Sequence, residues 1–134
     1  MTQSPTVAVI DDDDSVRDAL RQLLRSAGFQ ALTFASAEEF LGSPYNDRPD
    51  CLVVDINLPG MSGVAMLRAL AAQRHVVPAI LISARDDAPT RALIRSWPGI
   101  PFLRKPFGDD ELLAAIAQSL ESGGAGQQDI PRKP

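Results

Sequence analysis

Four strand-like apolar runs in this chain end in, or lead directly into, polar side chains that could do chemistry. In chain order these polar residues are Asp11 with Asp12, then Asp55, Ser83 and Lys105. In an open parallel sheet the ligand crevice lies at the carboxyl ends of the strands, so we expect these side chains to converge there. A charge placed directly after four apolar residues is costly unless it is used, which favours a functional role for Asp55.

Three carboxylates in one pocket repel one another, so Asp11, Asp12 and Asp55 together imply a bound cation. All of these ligands are oxygens, which suits a hard ion such as Mg²⁺. The backbone carbonyl of Asn57, two residues after Asp55, is predicted to complete the metal site. Lys105 would add a compact positive charge beside it.

This residue set suits phosphoryl transfer. A carboxylate can act as a nucleophile and become an aspartyl phosphate. The transferred group is stabilised mainly by charge, from a metal and a cation on its oxygens. Ser83 would then hydrogen-bond a phosphoryl oxygen.

The rest of the chain alternates strand-like runs with helical patterns, which predicts an α/β fold with a parallel sheet. Five strands are expected at about residues 7–10, 30–34, 51–54, 79–82 and 100–104. Five helices are expected near residues 16–27, 36–41, 64–71, 89–96 and 109–120. Ser36 and Glu39 have capping-box spacing, and Asp14 is predicted to be the N-cap of the first helix.

Four motifs together resemble the receiver domains of bacterial two-component systems. They are Val-Ile-Asp11-Asp12-Asp13, Val-Val-Asp55-Ile-Asn57-Leu-Pro59-Gly-Met-Ser-Gly63, Ile-Ser83-Ala84 and Lys105-Pro106-Phe107. They occur in the expected order, and the match covers about residues 6–121. The stretch Ser36-Ala-Glu-Glu-Phe-Leu most resembles the nitrogen-fixation-regulator subfamily, whose members usually carry a helix-turn-helix output domain.

The resemblance implies a doubly wound, flavodoxin-like, five-stranded parallel sheet of order 2-1-3-4-5, flanked by five helices. It implies that Asp55 is the phosphoacceptor, that Asp11 and Asp12 hold Mg²⁺, and that Lys105 contacts the phosphoryl group. Ser83 and Phe102 would form the switch pair, and the Lys105–Pro106 peptide bond would be cis.

One region departs from the family pattern. Receivers often have Gly-Ala just before the fifth strand, whereas this chain has Pro98-Gly99 preceded by Trp97. The fourth helix is therefore predicted to end early, on the face through which most receivers signal. Arg85, two residues after Ser83, occupies a variable family position that can tune phosphoryl lifetime.

Composition limits the ligands and the covalent cross-links that this chain can have. A net charge of −4 gives no support for direct nucleic-acid binding by this chain. A single cysteine, Cys51, excludes an intrachain disulfide and is predicted to be a buried core thiol.

No apolar stretch is long enough to span a bilayer, and residues 1–6 lack a signal-peptide layout, so a cytoplasmic location is predicted. His75 has no metal partners and is predicted to lie at the surface.

The leading functional hypothesis is a signalling switch that takes a phosphoryl group from a sensor histidine kinase or phosphotransfer protein. A phosphorylation-dependent homodimer is compatible with this hypothesis. Such a domain would catalyse only its own Mg²⁺-dependent phosphorylation and dephosphorylation and would not otherwise be an enzyme. The alternative is the receiver portion of a DNA-binding transcription regulator. A dehalogenase-type phosphatase is disfavoured because Asn57 stands where a second aspartate is usual. Residues 1–121 are predicted to form the domain, and residues 122–134 a flexible tail or linker.

Overall fold

Five parallel strands form a single sheet in the computed structural model, which describes residues 4–74 and 76–123. The strands are β1 Thr6–Ile10, β2 Gln30–Phe34, β3 Cys51–Asp55, β4 Ala79–Ser83 and β5 Phe102–Arg104. Their order is β2-β1-β3-β4-β5, and every pairing is parallel. The predicted fold class and strand order are therefore confirmed.

Helices cover both faces of this sheet. They are α1 Asp14–Ser26, α2 Ala37–Leu41, α3 Gly63–Ala72, α4 Ala88–Arg95 and α5 Asp109–Gly123. Alternate strand residues point to opposite faces: Leu52 and Val54 join the apolar cluster with α2 and α3, whereas Cys51 and Val53 join the cluster with α1 and α5. Burial on both faces explains why the central strands are continuously apolar. Burial also raises the pKa of the Cys51 thiol to about 12, which fits the predicted core role.

The helix starts agree with the sequence patterns in one case and differ in another. Ser36 Oγ accepts a hydrogen bond from the Glu39 N–H at 2.9 Å, so the predicted short helix and its cap are present. The N-cap of α1 is Asp13 rather than the predicted Asp14. The Asp13 carboxylate accepts hydrogen bonds from the N–H groups of Ser15 and Val16. These are the second and third residues of the helix, whose N–H groups an N-cap side chain usually binds. Asp14 lies in the first turn and pairs with Arg17.

The segment before β5 differs slightly from the predicted strand. The strand begins at Phe102 rather than at residue 100, because Pro101 has no N–H to donate to a ladder and the Ile100 N–H bonds to the Trp97 carbonyl in a turn. Gly99 occupies that turn with φ +93°, a conformation that favours glycine. Helix α4 has eight residues and ends at Arg95, which agrees with the predicted early end.

Helix α5 continues to Gly123, beyond the residue 120 that the apolar pattern predicts. The predicted domain boundary at residue 121 stays a prediction, and residues 124–134 of the predicted tail lie outside the described residues, as does His75. Within residues 4–74 and 76–123, none of the helices combines the length and the apolar character that crossing a bilayer requires.

Candidate functional site

Three carboxylates meet at the carboxyl ends of two neighbouring strands, β1 and β3. Asp11 directly follows β1, Asp55 ends β3, and the two strands are hydrogen-bonded neighbours. With Asp12 they offer oxygens that all lie within 4.8 Å of one another. The structure thus brings together the three acidic residues that the sequence singled out.

The donor set fits Mg²⁺. This ion takes oxygen ligands in an octahedron at about 2.1 Å, so opposite ligands lie about 4.2 Å apart, and the three carboxylate oxygens need only small movements to share one ion. Asp11 and Asp55 are buried while Asp12 is exposed. The exposed side leaves space for the water ligands that Mg²⁺ usually keeps.

Lys105 enters the same pocket from the end of β5. Its Nζ donates to Asp11 Oδ2 at 2.6 Å and to Asp55 Oδ2 at 2.9 Å. The Lys105 N–H donates to the Ser83 carbonyl at 2.8 Å, which fixes the start of this side chain. The following Lys105–Pro106 peptide bond is cis, as the resemblance implied.

The pocket is short of positive charge. Burial raises the pKa of Asp11, and the hydrogen bond from Lys105 only partly offsets that rise. For Lys105, burial lowers the pKa, but its hydrogen bonds to Asp11 and Asp55 outweigh the burial and leave the pKa raised. Three carboxylates share this pocket with one ammonium group, so a divalent cation would offset the remaining negative charge.

Ser83 and Asn57 lie beside Asp55 and are bonded to each other. The Ser83 hydroxyl is fully buried and donates to Asn57 Oδ1. The Asn57 N–H in turn donates to Asp55 Oδ1 at 2.7 Å. Asn57 therefore links the Ser83 hydroxyl to the Asp55 carboxylate through two hydrogen bonds.

Comparison with known protein families decides the identity of this fold and site. The family model described as the response regulator receiver domain matches residues 7–117. The chain belongs to this family. It is therefore a receiver domain of the two-component response regulators, a signalling domain rather than a classical enzyme, and Mg²⁺ and phosphorylation are typical of the family.

Individual relatives agree with the nitrogen-fixation-regulator pattern. Nodulation protein W of Bradyrhizobium diazoefficiens is 39% identical over 115 residues, covering 86% of this chain and 51% of its own length. Transcriptional regulatory protein FixJ of the same organism is 35% identical over 120 residues, covering 90% of this chain and 58% of its own. The receiver domain thus spans about half the length of these curated relatives.

Solved structures agree as well. The crystal structure of FixJ-N superposes with a TM-score of 0.78 at 35% identity, covering 90% of this chain and 96% of that one. The structure of response regulator StyR superposes with a TM-score of 0.77 at 44% identity, covering 88% and 60% of the two chains.

Phe102, the other predicted switch residue, lies on β5 opposite Leu81 of β4. It is partly buried and packs against the apolar cluster that contains the α3 residues and Trp97. This receiver domain therefore places Ser83 and Phe102 on neighbouring strands. Their switching role stays a prediction.

Two positioning contacts were missed from sequence. Arg17 Nη1 donates to the Asp11 carbonyl at 2.7 Å, so α1 holds the acidic loop in place. Glu38 on α2 accepts from the Met61 N–H at 2.9 Å, so α2 holds the loop that follows Asp55. The Ser36-Ala-Glu stretch resembles the family in sequence. However, the Met61 N–H that Glu38 binds lies 23 residues further along the chain, and no local pattern predicts this contact.

Proposed function

We propose that this receiver domain is a phosphorylation-activated switch in which Asp55 accepts a phosphoryl group. The observation that carries the proposal is that Asp55 accepts a hydrogen bond from Lys105 and lies within 4.8 Å of carboxylate oxygens of Asp11 and Asp12. A nucleophilic carboxylate with a cation at hand and a metal-binding set beside it is the arrangement that aspartyl phosphate formation requires.

The proposed step is a direct transfer. An Asp55 carboxylate oxygen forms a bond to phosphorus while the bond from phosphorus to the donor's leaving atom breaks, and the donor keeps that electron pair. Lys105 would contact a phosphoryl oxygen attached to Asp55, because its Nζ already donates to Asp55 Oδ2. Bound Mg²⁺ would supply further neutralisation of the phosphoryl oxygens, held by Asp11, Asp12, Asp55 and the Asn57 carbonyl.

The proposed donor is a sensor histidine kinase or a phosphotransfer protein, and the proposed location is the cytoplasm. An open apolar groove of about 500 Å³ supports docking close to the site. It lies beside Lys105 between α1 and α5 and is lined by Val16, Ala19, Leu20, Ala84, Pro106, Phe107 and Asp109. A partner that packs there would bring its phosphoryl group to the edge where Asp55 lies.

A second candidate function is the receiver portion of a DNA-binding transcription regulator. It is favoured by relatives that are named transcriptional regulatory proteins and of which the match covers only 58% and 63%. In such a protein this domain would supply the switch and another domain the DNA contacts. The net charge of −4 argues against specific DNA binding by these 134 residues themselves.

The proposal is tested with acetyl phosphate, a small phosphoryl donor. Incubation with Mg²⁺ should add the mass of one phosphoryl group to the intact chain, and removal of Mg²⁺ by a chelator should prevent it. Sedimentation of the two samples would show whether phosphorylation changes self-association. A chain that gains no phosphoryl mass while circular dichroism shows it folded would contradict the proposal.

Asp12→Ala should weaken Mg²⁺ binding by about tenfold to a hundredfold, the range typical even for partners outside the metal's immediate ligands. The fold should be retained because Asp12 is exposed. Titration followed by calorimetry or amide shifts measures the affinity. Asp14→Ala is the matched control, since Asp14 belongs to the same acidic run but pairs with Arg17. Equal Mg²⁺ affinities for wild type and Asp12→Ala would remove Asp12 from the metal site.

Trp97 emission should change when beryllofluoride, a mimic of the phosphoryl group, binds with Mg²⁺. Trp97 is 1% exposed, lies in the cluster against which Phe102 packs, and has Arg68 of α3 stacked 5.6 Å from its ring centre. Inward movement of Phe102 would therefore alter the surroundings of the indole. Ser83→Ala should reduce the change. If fluorine NMR shows the mimic bound while emission stays constant, Ser83 and Phe102 do not act on this face.

A further inference from the structure

A buried threonine on α4 is linked to the phosphorylation site. Thr90 is 1% exposed, and a buried hydroxyl needs hydrogen-bond partners. Its Oγ1 accepts from Asn57 Nδ2 at 3.3 Å, and its N–H donates to the N-cap carboxylate of Asp87 at 2.9 Å. A side-chain hydrogen bond with Thr90 is also the largest cause that lowers the pKa of Asp87. Thr90 thus joins the first turn of α4 to the residue two positions after Asp55.

The other end of the Asn57 amide is occupied by Ser83. Asn57 Oδ1 accepts the Ser83 hydroxyl, and Ser83 Oγ accepts the Arg85 N–H at 3.0 Å. The Asn57 backbone N–H is held by Asp55 Oδ1. One side chain therefore bridges the hydroxyl of β4 and the hydroxyl of α4, while its backbone is fixed to the proposed acceptor.

The Ser83 hydroxyl has a single proton to donate. It cannot give this proton to a phosphoryl oxygen on Asp55 and to Asn57 Oδ1 at the same time. Engagement of the phosphoryl group must therefore break the Ser83–Asn57 bond. The Asn57 amide then loses the partner that fixes its orientation and, with it, the geometry of its bond to Thr90.

We propose that the Asn57 side chain and Thr90 form a latch that holds Ser83 and the first turn of α4 in the unphosphorylated arrangement. The latch rests on the proposed phosphoacceptor function and adds to it two positioning residues, neither of which contacts the phosphoryl group through its side chain. The latch opens and releases α4 when the Ser83 hydroxyl turns away from Asn57 and donates its hydrogen bond to the phosphoryl oxygen.

Thr90→Val tests the latch because valine keeps the shape of threonine and removes the hydroxyl. It should bind beryllofluoride about fivefold more tightly than wild type, the factor that one neutral hydrogen bond is worth, because the resting arrangement loses a bond that the bound form does not use. Its Mg²⁺ affinity without beryllofluoride should be unchanged. Thr90→Ser keeps the hydroxyl and should bind beryllofluoride like wild type.

A measurement on the wild-type protein needs no substitution in α4. The chain has two asparagines, Asn46 and Asn57, so their side-chain amide signals are readily assigned by NMR. The Asn57 signals should shift on beryllofluoride binding. The Asn46 amide donates to the Leu41 carbonyl at 2.7 Å, away from the site, and its signals should stay constant as the internal reference.

The outcomes separate the latch from the function on which it rests. Tighter beryllofluoride binding by Thr90→Val together with shifted Asn57 signals supports the latch. Unchanged or weaker binding by a folded Thr90→Val, or Asn57 signals as constant as those of Asn46 while fluorine NMR shows the mimic bound, overturns the latch alone. A wild-type chain that binds no beryllofluoride in the presence of Mg²⁺ contradicts the phosphoacceptor function, and the latch with it.

Discussion

Asp55→Asn should abolish phosphorylation by acetyl phosphate and leave the domain folded. The amide oxygen of asparagine is neutral and a poor nucleophile, so no aspartyl phosphate can form at this position. The fold should persist because the new amide oxygen can still accept the Asn57 N–H, and Lys105 keeps its 2.6 Å bond to Asp11. Loss of one of three neighbouring carboxylates also relieves repulsion in the pocket.

Intact-mass spectrometry measures this effect, with denaturant unfolding as the check on the fold. Asp47→Asn is the matched control, because it makes the same chemical change at an exposed carboxylate outside the pocket. The control should gain one phosphoryl group at the wild-type rate. Undiminished phosphorylation of Asp55→Asn would remove Asp55 as the acceptor and point to another carboxylate of the chain.

The sheet and the meeting of the polar residues could be predicted because both follow from short-range patterns. A strand buried on both faces must be apolar throughout, so the runs before Asp11 and Asp55 identify strands without knowledge of their neighbours. Parallel strands then bring their carboxyl ends to one edge, which places Asp11, Asp55, Ser83 and Lys105 together once the strand order is known. The order itself came from family resemblance and not from the apolar pattern.

Contacts between distant segments could not be predicted in this way. Asn57 and Thr90 are 33 residues apart, and each has an ordinary local role, one in a loop and one in a first helical turn. The choice of Asp13 over Asp14 as N-cap depends on backbone angles, φ −91° and ψ 117° at Asp13, in a run of four similar residues. Pro101 and the preceding turn delay the start of β5 to Phe102. The apolar pattern could not predict this delay because it continues unbroken from residue 100.

A glycine packs closely against the strand end that carries Asp55. Gly63 begins α3, and an added Cβ would lie 2.5 Å from the Asp55 carbonyl oxygen and 2.6 Å from Val54 Cγ1. Such distances are far below van der Waals contact, and the carbonyl belongs to β3, which is paired on both sides. Absence of a side chain at residue 63 therefore lets α3 begin directly against the strand end that carries Asp55.

Gly63→Ala should lower the free energy of unfolding by about 1–3 kcal/mol, the usual cost of overpacking, and should slow phosphorylation because the strand end must move. The gain in helix propensity of at most about 1 kcal/mol acts in the opposite direction but is smaller at a first helical position. Denaturant unfolding and the acetyl phosphate rate measure the two effects. Gly108→Ala is the control, because its Cβ would meet only Glu111 Oε1, at 3.6 Å. Wild-type stability and rate in Gly63→Ala would show that β3 and α3 separate without cost, and that Asp55 does not depend on this contact for its position.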